Sequence, residues 1–223
     1  MTALKELGFR KGMIFESIVS TYSPKGQPNA APMGVTTEDL MHLVLRPYTT
    51  TQTYANLKHW GCAVVNFLTD AATFYKTAFK PEEEGRMVSV EWFERAEVVA
   101  APRLRKVDAL LEVSVVEMRD EEPRAHVTCR IDRWERDASR FQPYCRGTFA
   151  VIEAIIHATR IQMLLAHGRE SEAERLKELM EHYQQLTTRV ASDSEFTCII
   201  EDLLARTARW REQPDRMESS CRK

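Results

Sequence analysis

The sequence predicts an α+β protein, mostly β with α: an antiparallel β-barrel followed by a C-terminal helical segment. Three observations carry this. Period-two alternation and short apolar runs recur through the first two thirds of the chain. No strand–helix–strand rhythm repeats, which argues against a parallel sheet. After Gly147 the apolar residues return at spacings of three and four, the mark of helices with one buried face. The change of period divides the chain into a barrel over 1–145 and a helical region over 146–223.

Residues 13–21 alternate apolar and polar, as a half-buried strand does. Ser23-Pro24-Lys25-Gly26-Gln27-Pro28 is a turn by composition. Residues 29–35 and 40–45 supply the next strands, joined by a polar hairpin loop at 36–39. Residues 51–60 suit a short helix, with threonines to cap it and Gly61 to end it. Residues 62–68 are continuously apolar, as in a strand covered on both faces. A second short helix is expected over 70–79, with Asp70 as N-cap and Pro81 beyond its end. Residues 107–116 and 125–134 read as a strand pair joined by the acidic stretch 119–123. A long helix over 148–166 stops at His167-Gly168. Ser171 with Glu174, and Ser192 with Glu195, fit capping boxes that open two further helices. Residues 217–223 are polar and expected to fray.

Composition removes several functions. Lys plus Arg number 31 against 33 Asp plus Glu, a net charge of -2, so a broad basic surface for nucleic acid is absent. No run of about eighteen apolar residues reads as a membrane span, and the opening residues do not read as a signal peptide, so a cytoplasmic protein is expected. Five cysteines with no CxxC pair read as reduced thiols, with Cys145 and Cys221 in polar surroundings that suit exposure. His42, His59, His126, His167 and His182 stand apart without metal-ligand spacing, so no metal is expected. GxSxG, P-loop, GxGxxG and HExxH patterns are missing.

Four groups of residues have chemistry to offer. In Arg46-Pro47-Tyr48-Thr49-Thr50-Thr51-Gln52-Thr53-Tyr54-Ala55-Asn56 a strand ends, an arginine and hydroxyl donors follow, and a helix begins. Free N–H groups at a helix start beside a forked cation are the parts of an anion site. The alternative is a threonine-rich cap that binds nothing. Asn29-Ala30-Ala31-Pro32-Met33-Gly34-Val35 combines small residues with Pro and Gly inside a strand. That suits either a flat ligand lying on an unpaired edge or a β-bulge at a barrel corner. Asn66 is an amide in an apolar strand and needs partners, either backbone or a ligand hydroxyl. Glu153, His157 and Arg160 share a helix face by spacing, as a substrate-binding or proton-transfer set, or as a salt-bridge ladder or dimer contact.

These blocks resemble a known family. Residues 15–21 (FESIVST), then Pro28-Asn29-Ala30-Ala31-Pro32-Met33-Gly34-Val35, are similar to the opening of an FMN-binding split-barrel family, domain of unknown function 447. The similarity continues through Leu45-Arg46-Pro47-Tyr48, Thr51, Thr53-Tyr54, Asn56-Leu57 and Val64-Val65-Asn66-Phe67, and later through Arg146, Glu153-Ala154 and His157-Ala158-Thr159-Arg160. It covers about residues 9–190. The resemblance implies a six-stranded split barrel related to pyridoxamine-phosphate-oxidase-like and flavin-reductase-like proteins, forming a homodimer with FMN. It implies Arg46, Thr49, Thr50 and Thr51 at the FMN phosphate and Tyr54 and Asn56 supporting that turn. Met33, Gly34 and Val35 would lie along the isoalloxazine ring, and Asn66 would face the ribityl chain or ring edge. The implied activity is an FMN-dependent oxidoreductase acting on a small molecule, with a link to methanopterin-type one-carbon metabolism. The alternatives are a non-catalytic flavin-binding or dimerisation protein, or a split barrel using deazaflavin or haem. The helical region would complete the dimer or cover the site.

Overall fold

The computed structural model describes residues 2–78, 89–137, 141, 143–192 and 194–212. The helix end expected at Phe79 and Pro81, Cys221 and the polar stretch 217–223 lie outside them. The chain divides into two compact units, Met1–Tyr144 and Cys145–Lys223.

In chain order the first unit contains α1 (Ala3–Glu6), β1 (Phe15–Tyr22), β2 (Pro28–Thr36), β3 (His42–Leu45), α2 (Gln52–Trp60), β4 (Cys62–Phe67) and α3 (Ala71–Ala78). A single 3₁₀ turn (Val90–Trp92) then leads to β5 (Phe93–Arg95), β6 (Pro102–Leu104), β7 (Ala109–Glu121) and β8 (Arg124–Arg136). Six strands close a barrel in the order β1-β2-β3-β8-β7-β4, and β5 and β6 form a separate two-stranded sheet. Every strand pair is antiparallel.

The register explains where the barrel is open. β1 pairs with the whole of β2, from Phe15↔Val35 to Tyr22↔Pro28. β2 reaches β3 only through Val35↔Leu45 and Thr36↔Val44. Residues 28–34 therefore have a strand partner on one side only among the described residues. Pro32 lies in that stretch, where a missing N–H costs the sheet nothing. The β1–β2 register runs without a shift, so the bulge alternative for 29–35 is not what forms.

β4 is buried at every position, as its continuous apolar run predicts. Cys62 and Val64 pack with Ala96, Val99, Ala101 and Leu110, so the segment around β5 and β6 covers that face. Ala63, Val65 and Phe67, of the opposite parity, are equally buried. Phe9 meets the Phe15 ring at 4.6 Å and the Phe67 ring at 5.6 Å. On β7, Glu112 is fully buried. Its carboxylate accepts the N–H groups of Glu97 (3.0 Å), Val98 (2.7 Å) and Val99 (3.2 Å) and faces Arg133 Nη1 at 3.4 Å. A buried carboxylate needs this complete a set of donors.

β7 and β8 are longer than the sequence pattern predicts. The stretch expected to join them is largely strand, and only Glu122-Pro123 forms the turn. Residues 117–121 are mostly exposed, so no burial alternation marks them.

The second unit contains α4 (Arg146–Ala166), α5 (Glu170–Val190) and α6 (Glu195–Glu212). Val151, Ala154, Ala158 and Ile161 of α4 pack with Ala173, Met180 and Ile200 of the other two helices. Neither capping box forms as expected. α5 starts one residue earlier, after Arg169, and the Glu174 carboxylate is taken by Arg211 of α6. At α6, Ser194 rather than Ser192 accepts the Phe196 N–H, at 3.3 Å. Cys145, expected in exposed surroundings, is buried. α4 is long and apolar enough to cross a bilayer by length and composition alone, yet it supplies the core of this unit.

Candidate functional site

The site grows from the point where β3 ends. Arg46 is exposed, and its Nη2 lies 3.2 Å from His126 Nδ1 on β8. A guanidinium only donates, so Nδ1 of His126 is the acceptor. The chain then turns through Pro47, Tyr48, Thr49 and Thr50 into α2. Thr51 caps the helix: its hydroxyl accepts the Tyr54 N–H at 3.4 Å and donates to the Tyr48 carbonyl at 2.7 Å. The N–H groups of Gln52 and Thr53 have no intrahelical acceptor, and the helix dipole adds partial positive charge there. At the far end Gly61 adopts φ +65°, and its N–H closes the helix on the Leu57 carbonyl at 2.9 Å. Glycine takes that left-handed conformation without strain.

The tip of the β7–β8 hairpin holds this loop. Pro123 carbonyl accepts the Thr49 N–H at 3.1 Å and faces its hydroxyl at 3.4 Å. The Ala125 N–H bonds the Pro47 carbonyl at 2.9 Å. Arg124 donates to the Arg46 carbonyl (3.1 Å) and the Tyr48 hydroxyl (2.8 Å), and stacks 4.0 Å from the Tyr48 ring centroid. Tyr54 donates to Asp120 at 2.9 Å, which ties the loop to β7 as well. Arg124, His126 and Asp120 are missed by sequence reasoning. They lie more than sixty residues along the chain, and only strand register brings them here.

Under α2 a buried polar network joins the loop to the open strand. Asn56 is fully buried; its amide donates to Thr21 Oγ1 at 2.9 Å and accepts from Gln52 at 2.6 Å. Asn29 of β2 donates to Thr53 Oγ1 at 3.3 Å. The structure thus brings together two clusters that the sequence shows separately: the Arg46–Asn56 segment and the one-sided stretch of β2.

Other predicted site residues take different places. Val35 is fully buried, so its side chain belongs to the core. Gly34 is half-buried, and a Cβ there would meet Ile14 Cγ2 at 2.5 Å, so the chain's own packing requires this glycine. Met33 is half-buried, and its carbonyl accepts from Ser17 Oγ at 2.8 Å. Asn66 is fully buried and satisfied within the barrel. It donates to the Ile18 carbonyl (2.8 Å) and Ser20 Oγ (2.9 Å), and accepts the Leu104 N–H (3.0 Å). Of the two partners the sequence left open, the protein's own groups are the ones formed. On α4, Glu153 and Arg160 are exposed, whereas His157 is buried against Tyr183, with ring centroids 5.8 Å apart. The three do not make a single polar surface. Among the described residues no group of His, Cys, Asp and Glu assembles a metal site.

The donor set fits a phosphate-bearing ligand. An exposed arginine, the exposed Thr50 and two helix-start N–H groups belong to one loop, and an open strand edge is tied to it. A six-stranded antiparallel barrel with one strand paired over most of its length on a single side, followed by helices, defines the split-barrel class of protein. Comparison with known sequences places the chain further. Residues 15–138 match the model "Protein of unknown function (DUF447) N-terminal domain", and residues 145–205 match "Protein of unknown function (DUF447)". The chain belongs to this family. An FMN-bound family member from Methanosarcina mazei is similar in structure, with a TM-score of 0.54 and 24% identity over 92% of this chain and 99% of that one. The flavin reductase HpaC, solved with NADP+, matches at a TM-score of 0.50 and 18% identity over 65% of this chain and 92% of that one.

Proposed function

We propose that this protein is an FMN-binding flavoprotein with oxidoreductase activity on a small molecule. The observation that carries this is the loop at residues 46–53, tied through Thr53 and Asn29 to the open stretch of β2. Arg46, Thr50 and the N–H groups of Gln52 and Thr53 hold the FMN phosphate, with Thr49 and Thr51 shaping the turn. Tyr54 and Asn56 fix α2 beneath it. The backbone of β2 at Gly34 offers its N–H and carbonyl to the polar edge of the isoalloxazine ring, with the Met33 side chain beside it, while Val35 and Asn66 anchor their strands. When bound, the flavin supplies the hydride or electron transfer, and the protein positions it and limits water access. The FMN-bound relative and the reductase solved with NADP+ support this reading.

The family resemblance extends the proposal to a pterin of the methanopterin type as the small molecule. A homodimer is part of the same proposal. Ile152 (47% exposed), Ile155 (43%) and Ile156 (37%) form an exposed apolar patch on α4 that suits self-association. Among the described residues Cys62, Cys129 and Cys198 form no disulfide, as suits a reducing cytoplasm.

Binding of FMN and of riboflavin, which lacks the phosphate, tests the reading by quenching of flavin fluorescence. Arg46→Ala is expected to weaken FMN about tenfold or more and leave riboflavin unchanged, since it removes a charge-assisted bond to phosphate alone. An Arg46→Ala protein with full FMN affinity overturns the phosphate assignment, and failure to take up any flavin overturns the whole reading. Bleaching of bound flavin by NADH or NADPH supports an enzyme over a passive binder.

A further inference from the structure

The sequence singles out Arg160, and the flavin reading gives it no task. It lines a groove of about 600 Å³ in the helical unit. Thr159, Met163 and Leu164 of α4 line the groove beside it, and across from them lie Glu172, Arg175 and Leu176 of α5, with Arg169 at the turn. Ligand sites of this volume are mostly apolar with a few placed polar groups. Here Met163, Leu164 and Leu176 supply the apolar floor.

The charges divide into a satisfied pair and a free pair. Arg169 donates to the Glu172 carboxylate through Nε at 2.6 Å and Nη2 at 2.5 Å, so these two neutralise each other and stiffen the rim. Arg160 and Arg175 make no ion pair or side-chain hydrogen bond among the described residues. The start of α5 adds little attraction of its own, because Glu170 and Glu172 occupy its first turn. The groove therefore has two uncommitted guanidinium groups beside an apolar floor. A planar guanidinium suits bidentate bonding to an oxyanion, and the floor gains by shedding water onto a hydrocarbon body.

We propose that this groove binds a small ligand with a carboxylate or phosphate head and an apolar body of several carbons. The proposal does not rest on the flavin reading. The test is a titration of the isotope-labelled full chain with octanoate and octyl phosphate, followed by backbone amide shifts. Octanol, which lacks the charge, and inorganic phosphate, which lacks the body, serve as comparisons. Either anionic amphiphile is expected to saturate one site, with shifts centred on residues 159–176. Whichever head binds tighter identifies the source of the ligand as a carboxylate or a phosphate ester. Octanol and inorganic phosphate are expected to bind about tenfold more weakly or worse. The double variant R160Q/R175Q should lose at least about tenfold in affinity while its circular dichroism and melting stay unchanged. Unchanged affinity in that variant, octanol binding as tightly as octanoate, or shifts centred on residues 46–54 would each overturn the proposal.

Discussion

The two units differ in what they bury. The barrel buries Asn29, Thr53, Asn56, Asn66 and Glu112, which are bonded across elements distant in sequence. The helical unit buries an apolar core, and two of its buried polar residues, Thr187 and Thr207, bond only carbonyls of their own helices. Buried polar networks allow one arrangement, because any other leaves donors unpaired in a low dielectric. Apolar cores accept substitutions of similar volume. The unit that carries the proposed FMN site is thus the one whose geometry is specified by polar bonds. The helical unit is held by volume and pattern.

Glu112 should expose this difference most strongly. Glu112→Ala removes the acceptor of three N–H groups and the buried one of the three carboxylates around Arg133. A loss of roughly 3–5 kcal/mol is expected on urea unfolding. A loss below about 1 kcal/mol would end the claim that polar bonds specify the barrel. Met180, fully buried in the helical core, is the matching position. Met180→Ala should cost about 3 kcal/mol by opening a cavity, whereas Met180→Leu should stay within about 1.5 kcal/mol. If the Leu variant lost as much as the Ala variant, the helical core would be as exacting as the barrel.

Arg124 tests the polar clamp at the site itself. Arg124→Ala removes the bonds to the Arg46 carbonyl and the Tyr48 hydroxyl together with the ring stacking. FMN affinity is expected to fall about tenfold, with riboflavin affinity unchanged. Arg124→Lys should not restore it, because a lysine lacks the planar fork that serves two acceptors and stacks at once. Full FMN affinity in Arg124→Ala would show that the loop keeps its shape without the hairpin tip.

What could be read from the sequence follows the same division. Strands β1 to β4 and helix α2 were legible because the apolar patterning, the Thr51 cap and Gly61 are local signals, although β1 is buried at nearly every position rather than on one face, its serines and Thr21 included. β5 and β6 have three residues each, too few for a period, and were missed. Arg46 and the helix start could be recognised because all their parts lie within a dozen residues. Arg124 had no local signal, since an arginine after a proline turn acquires its role only through the bridge to Tyr48. Asn66 looked able to face a ligand because its sequence could not show Ser20 and Leu104 closing around it. The Ser171–Glu174 capping pattern misled because Arg211 of α6, distant in sequence, claims that carboxylate.

The smallest expected effect concerns acid, and it separates a local polar cap from the network beneath α2. Asp39 sits in the loop between β2 and β3. Burial works against its ionisation, but the N–H groups of His42 and Met41 and the His42 ring outweigh it and hold the carboxyl at about 2, below its ordinary 3.8. The folded state therefore binds its proton more weakly than the unfolded state. The stabilisation is fully present above pH 3.8 and disappears as pH falls through about 2. Asp39→Asn should leave the protein slightly less stable at neutral pH, with the difference from the parent shrinking to nothing across that window. Asp70, Glu135 and Glu174 are also held low by their partners, so the parent alone will lose stability in acid for several reasons. The difference between parent and variant isolates Asp39. Its side chain is 40% exposed, so solvent screens the interaction and the effect should stay well below that of Glu112. A difference that persists unchanged at pH 2 would mean that the loop is held by hydrogen-bond geometry, as the Asn29–Asn56 network is, and not by the carboxylate's charge.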